Sequence, residues 1–144
     1  MPDFSQTFPL LDDNNHRPTS PITSEYNCIA WAAGEDDRWW WPGPADVTFW
    51  PAGVPRASTR DAFISAFETL GYSKCESGEV EQGVDKVVLY LDSASVPTHM
   101  ARQLADGTWT SKLGQSIDIN HFTLEAISGP AYGQAKVFLS RPHL

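Results

Sequence analysis

The chain has 144 residues, of which 41% are apolar, and this is enough for one domain with a hydrophobic core. Its net charge of −8 at pH 7 argues against a nucleic-acid ligand and against anionic membrane surfaces, which both require clustered Lys and Arg. No apolar run of about 18 residues predicts a transmembrane helix, and no signal peptide is expected. We therefore expect a cytoplasmic protein, with export by a specialised secretion system as the alternative.

The N-terminal half predicts an extended arm followed by two helices. Residues 1–20 are polar and contain proline, which indicates an arm, and residues 21–144 form one domain. A short helix is predicted within Ser24–Gly34, where Asn27 is a good N-cap and Gly34 a good C-terminal residue. Arg38–Pro55 is rich in Trp, Pro and Gly, which predicts an ordered loop. Apolar residues at helical spacing predict a second helix over Ser58–Gly71.

The C-terminal half predicts an antiparallel meander. Asp106-Gly107 is a hairpin signal, and 117–127 is expected to form a turn and a short helix. Strands are predicted at Tyr72–Cys75, Lys86–Leu91, Thr98–Leu104, Thr108–Leu113 and Gln134–Leu139. The order of these elements predicts an α+β fold, with N-terminal helices packed on one face of an antiparallel sheet.

Cys28 is a candidate nucleophile because of its place in the first predicted helix. It lies in the first turn, where free backbone N–H groups and the helix dipole favour a thiolate. The alternative is a small buried core residue, as most free cysteines are. With only Cys75 besides it, no disulfide framework is expected, and both thiols are expected to be reduced.

His99 is the candidate base for Cys28. It opens a predicted strand, and a helix packed on that strand could bring the two side chains together, as in papain-like enzymes. A carboxylate orients an imidazole better than a hydroxyl does, which favours Asp118 as the third group and Ser111 as the second choice. A three-residue hairpin loop puts Ser111 on the face of His99, whereas a two-residue loop puts Lys112 there. The alternative for His99 is a structural histidine.

Further residues around Cys28 have two interpretations each. Asn27 and the Cys28 backbone N–H could stabilise an oxyanion, or Asn27 could be only the helix cap. His121 is expected to fix a loop through a hydrogen bond, and no metal or other cofactor is expected. Five tryptophans either line a substrate cleft or belong to the core or to a lid. They are Trp31, Trp39, Trp40, Trp41 and Trp50.

Several strings together resemble a known group of proteins. YNCIAWA, VVLYLDSASVPTHMARQLADGTWTSKLG, DINH and SGPAYG are similar to those of an uncharacterised bacterial family of small domains, which looks like a divergent branch of the papain-like, NlpC/P60-related fold. The resemblance implies a nucleophile at Cys28 and a base at His99. Ser111 falls near the third position, where such enzymes usually carry His, Asn or Gln.

These observations predict a thiol-dependent hydrolase or acyltransferase that forms a thioester on Cys28. Its expected substrate is a peptide, a protein or a small amide. Two alternatives are a non-catalytic protein-binding module that uses the Trp-rich loop, and a toxin or effector that deamidates another protein.

Overall fold

The computed structural model describes residues 4–143. Two α-helices are present, α1 at Cys28–Ala32 and α2 at Arg60–Glu68, together with a 3-10 helix at Glu125–Ile127. Seven strands follow the chain as β1 His16–Pro18, β2 Ser73–Cys75, β3 Val84–Leu91, β4 Pro97–Gln103, β5 Trp109–Lys112, β6 Asp118–His121 and β7 Gln134–Pro142.

All seven strands form one antiparallel sheet in the order β1-β6-β5-β4-β3-β7-β2. The hairpin between β4 and β5 closes where Leu104 N–H donates to Thr108 O. Its loop therefore spans three residues, and this register places Ser111 on the same face of the sheet as His99. The paired residues of β4 and β5 are only Arg102 with Thr110 and Gln103 with Trp109. The stretch of β4 that carries His99 is thus paired with β3 but not with β5.

The sheet separates two hydrophobic clusters. The helix-side cluster joins α1 and α2 to the sheet, and its members include Ile29, Phe63, Phe67, Leu89 and Met100. The arm-side cluster covers the opposite face, where Phe4, Phe8 and Leu11 of the N-terminal segment pack against residues such as Tyr90 and Trp109. Fully burying a side chain such as Phe63 contributes about 2–3 kcal/mol, so α2 is held mainly by its inward face.

The expected α+β papain-like architecture is wrong. The molecule is mainly a seven-stranded antiparallel sheet, and its helices are only five, nine and three residues long. α1 is short because Asn27 caps its start and Gly34, at φ +89°, lies just beyond its end. The expected turn and helix over 117–127 instead begins with strand β6, which pairs with both β5 and β1.

The sequence predicts an extended arm over residues 1–20. Part of this segment, strand β1, pairs with β6 at the edge of the sheet. Across residues 4–143, no helix has the length and apolar character needed to cross a membrane.

Candidate functional site

Cys28 is the first residue of α1, and Asn27 fixes the start of that helix. The Asn27 Oδ1 accepts the N–H groups of Ala30 at 3.2 Å and Trp40 at 3.0 Å, while its Nδ2 donates to the Trp40 carbonyl at 2.7 Å. The side chain is therefore both N-cap and bridge to the Trp-rich loop. One N–H of Nδ2 is used by the Trp40 carbonyl, and the predicted role of Asn27 and the Cys28 backbone N–H in binding an oxyanion stays a prediction.

The Cys28 thiol packs against the helix-side cluster. Burial raises its pKa to about 11, while the backbone N–H of Met100 and the charge of Lys112 act in the opposite direction. The thiol is therefore protonated at neutral pH. Neither Cys28 nor Cys75 forms a disulfide.

His99, Ser111 and His121 form a continuous hydrogen-bonded chain on the arm side of the sheet. The Ser111 Oγ lies 3.0 Å from His99 Nε2 and 2.8 Å from His121 Nε2, and all three residues are fully buried. The His121 Nδ1 lies 2.8 Å from the Thr123 carbonyl, which can only accept, so Nδ1 carries the proton of the neutral ring.

This contact determines the direction of the whole chain. With Nδ1 protonated, the neutral His121 offers Nε2 as an acceptor, so Ser111 donates its hydroxyl proton to it. His99 must then donate from Nε2–H to the Ser111 Oγ, which leaves His99 Nδ1 as a bare acceptor. That atom is buried and has no hydrogen-bond partner among the described residues.

Aromatic rings enclose the His99 imidazole. The Tyr132 ring stacks on it with centroids 4.0 Å apart and planes 13° apart, and Tyr90 meets it edge-on at 5.4 Å. Burial, and then the neighbouring His121, hold the pKa of His99 well below its ordinary value. The same burial lowers the pKa of His121 to about 4. Both rings are therefore neutral at pH 7.

The structure brings Cys28 close to the strand of His99 without joining the two side chains. The backbone N–H of Met100, the residue after His99, is near enough to the Cys28 sulfur to lower the pKa of the thiol. Cys28 packs with the helix-side cluster, however, whereas the rings around His99 belong to the arm-side cluster. Within residues 4–143 the two groups share no hydrogen bond, and the pairing of Cys28 with His99 stays a prediction. β5 does not pair with this part of β4, so the β4 backbone beside both groups has no hydrogen bonds to β5.

Asp118 and Ser111 lie in different places. Ser111 contacts His99, as described, whereas Asp118 accepts a 2.6 Å hydrogen bond from the Tyr26 hydroxyl. Burial raises the pKa of Asp118, and its Oδ1 has no partner among the described residues. The Asp118 carboxylate is therefore bound to the segment before α1, and among the described residues it makes no hydrogen bond to the imidazole of His99.

Lys112, the alternative neighbour of His99 in the sequence prediction, instead binds backbone carbonyls. Its fully buried ammonium donates to three backbone carbonyls, those of Thr23 at 2.6 Å, Ser116 at 2.7 Å and Gly114 at 3.1 Å. It thereby fastens the segment before α1 to the turn between β5 and β6. The alternation of residues 109–112 after the hairpin could have separated Lys112 from His99, because it puts Lys112 and Ser111 on opposite faces of the sheet.

The tryptophans divide into core and partly exposed members. Trp40 and Trp50 are buried, and their indole N–H groups donate to Glu35 and to the Pro55 carbonyl. Trp31 donates to Thr110 at 2.9 Å, which fixes α1 on β5. Accessible indole surface remains on Trp31, Trp39 and Trp41.

Comparisons with known proteins give a family but no activity. The family described as a domain of unknown function, DUF7689, matches residues 17–140. No curated protein and no solved structure matches the chain. Across residues 4–143, no group of three or more His, Cys, Asp or Glu side chains is placed to hold a metal ion.

Proposed function

Because the chain belongs to the DUF7689 family, whose description carries no activity, we propose its function from the site: thiol-dependent cleavage or transfer of an amide acyl group by Cys28. The observation that supports this proposal is the hydrogen bonding of the His99 ring. Its Nε2 is held by Ser111, its buried Nδ1 has no partner among the described residues, and the next amide of the same strand lies near Cys28. The proposal rests on this local arrangement and not on a resemblance of fold.

In the proposed reaction, the Cys28 sulfur attacks the carbonyl carbon of the amide while its proton passes to His99 Nδ1. The tetrahedral intermediate collapses as the carbon–nitrogen bond breaks, and the amine leaves with the proton from His99. A thioester remains on Cys28. Water, or an amine in a transfer reaction, then attacks the thioester carbonyl while His99 takes its proton. The carbon–sulfur bond breaks, the acid or new amide leaves, and the Cys28 sulfur regains the proton from His99.

The remaining groups have supporting roles. Ser111 holds the His99 ring by accepting from Nε2–H, so the imidazole presents Nδ1 as its basic atom. The backbone N–H of Cys28, in the first turn of α1, supplies a donor for the oxyanion. Since thiol and imidazole are both neutral at rest, proton transfer has to accompany the attack, and substrate binding has to bring sulfur and Nδ1 together.

The substrate class is a peptide, a protein or a small amide. Deamidation of a protein side chain uses the same bond changes, with ammonia as the leaving amine, so an effector that deamidates its target is a variant of this proposal. The partly exposed rings of Trp39 and Trp41 give apolar surface near α1 for such a substrate.

An activated acyl donor tests the chemistry without a known substrate. The protein is incubated with p-nitrophenyl acetate, and acetylation of each cysteine is followed by mass spectrometry over time. We expect acetyl transfer to Cys28, slowed by about 100-fold or more in His99→Gln because the base is lost. Cys75→Ser is the matched control and should leave the rate at Cys28 unchanged.

A second candidate is a protein-binding domain without catalysis. The neutral, hydrogen-bonded chain from His99 to His121 favours it, because such a network also serves as a structural core element. In that case Cys28 acetylates at the same rate in the wild type and in His99→Gln. Equal rates in variants whose circular dichroism matches the wild type contradict the catalytic proposal.

A further inference from the structure

A groove lies beyond the C-terminal end of α1, where that helix meets β3, β4 and the end of β7. Two adjoining cavities of about 530 Å³ and 310 Å³ form it, and they share Asp85, Arg102, Gln103 and His143. The combined space suits a small molecule or the end of a peptide.

Arg102 is the cation of this groove that has no carboxylate partner. Its Nε makes a long 3.3 Å hydrogen bond to the Trp31 carbonyl, and its guanidinium lies 5.3 Å from the Trp31 ring centroid. None of the ion pairs found in residues 4–143 includes it. Four of the five guanidinium N–H donors therefore remain available, on a half-buried group that stays charged.

The other charged groups of the groove are already paired. Arg141 Nε lies 3.2 Å from Asp85 and His143 Nδ1 lies 2.7 Å from the same carboxylate, while Glu81 is bound to Lys86 at 2.6 Å. Asp85 balances the charge of Arg141, and Arg102 leaves one positive charge in a protein whose net charge is −8.

Gln103 and two apolar side chains add selectivity beside Arg102. The Gln103 amide nitrogen donates to the Gly78 carbonyl at 2.6 Å, which leaves its oxygen to accept from a ligand N–H. Val80, 53% exposed, and Leu104 give the larger cavity an apolar side. A planar guanidinium binds a carboxylate through two parallel hydrogen bonds.

We propose that this groove binds a carboxylate ligand, with Arg102 as its charged partner and Gln103 accepting an adjacent N–H. The terminal carboxylate of a peptide combines both features and carries the single negative charge that the groove lacks. This binding is independent of the Cys28 chemistry proposed above.

The test uses two peptides that differ in one group. An N-acetylated tripeptide with a free C-terminal carboxylate and its C-terminal amide are titrated into the 15N-labelled protein, with inorganic phosphate as a third probe. We expect the free peptide to shift the amides of Gly34, Gln103 and Ala105, and the amidated peptide to lose most of this effect.

Variants connect the binding to Arg102. Arg102→Gln should weaken the peptide by about tenfold or more, since the charged contact is lost, and Arg102→Lys should keep part of the affinity. Arg56→Gln, which alters an exposed arginine bound to the Gly43 carbonyl, is the matched control and should have no effect.

Equal binding of the free and amidated peptides would overturn the inference. Binding of phosphate in preference to the carboxylate, or unchanged affinity in Arg102→Gln, would overturn it as well. Absence of any shift in the wild type up to millimolar peptide has the same consequence. If Arg102→Gln fails to fold, the comparison of the two peptides in the wild type and in Arg102→Lys decides.

Discussion

Lowering the pH from 7.5 to 5.5 should destabilise the protein through the fully buried imidazoles of His99 and His121. An unfolded histidine has a pKa near 6.5 and is mostly protonated at pH 5.5, whereas folded His121, with a pKa of about 4, is still neutral. A group whose folded pKa is lowered binds fewer protons in the folded state. Its stabilising effect is complete above the unfolded pKa and is lost as the pH falls towards the folded pKa.

The size of this effect follows from the difference in bound protons. Over the interval from pH 7.5 to 5.5, His121 lowers the free energy of unfolding by about 1.4 kcal/mol. The pKa of His99 is lowered by burial as well, so His99 adds to this loss in the same direction. Ordinary carboxylates titrate mostly below this interval and add little.

Urea denaturation at the two pH values measures the effect. His121→Gln should be less stable at pH 7.5 and should lose about 1.4 kcal/mol of the pH dependence, because the contribution of this imidazole is gone. His143→Gln, which changes an exposed imidazole, is the control and should lose less stability at pH 7.5 than His121→Gln. Equal stability of the wild type at both pH values, or full pH dependence in His121→Gln, would refute the reasoning.

Three further predictions concern the residues that hold the site and its surroundings. Lys112→Met leaves the carbonyls of Thr23, Gly114 and Ser116 without their charged donor and should lower the free energy of unfolding by about 3 kcal/mol, measured by urea denaturation; a loss below about 1 kcal/mol contradicts the assigned role. Asn27→Ala should cost about 2 kcal/mol, against about 1 kcal/mol for the simple cap in Thr59→Ala, because Asn27 also binds Trp40. Gly133→Ala would place a Cβ in collision with the Leu91 carbonyl oxygen and should lower the melting temperature more than Gly53→Ala, where φ is also positive but no atom lies near; equal shifts would show that the backbone contact is unimportant.

The sequence predicts the parts of the site that depend on local signals. Asn27 and Gly34 determine both ends of α1, and the hairpin after β4 determines whether Ser111 or Lys112 shares a face with His99. The preference for Asp118 as the partner of His99 came from general chemistry, and the structure places its carboxylate against Tyr26. That contact joins residues 92 positions apart, so no local pattern encodes it.

The architecture was harder to predict because two strands lack an apolar alternation. β1 and β6 are three and four residues long and contain His16, Asp118 and Asn120, which read as turn or loop residues. Tertiary pairing overrides this local preference, since β6 lies between two strands and its side chains are largely buried. β6 joins β1 to the rest of the sheet, so the molecule is mainly β and not the predicted set of helices packed on a sheet.

The short strands at the two borders of the sheet affect self-association. Three residues of β1, ending in Pro18, form one border, and three residues of β2, with Lys74 at their centre, form the other. Proline offers no N–H, and an exposed lysine resists burial between stacked strands, so these borders are poor templates for intermolecular pairing and aggregation. A binding partner is accordingly expected to contact the faces and loops and not to add a strand.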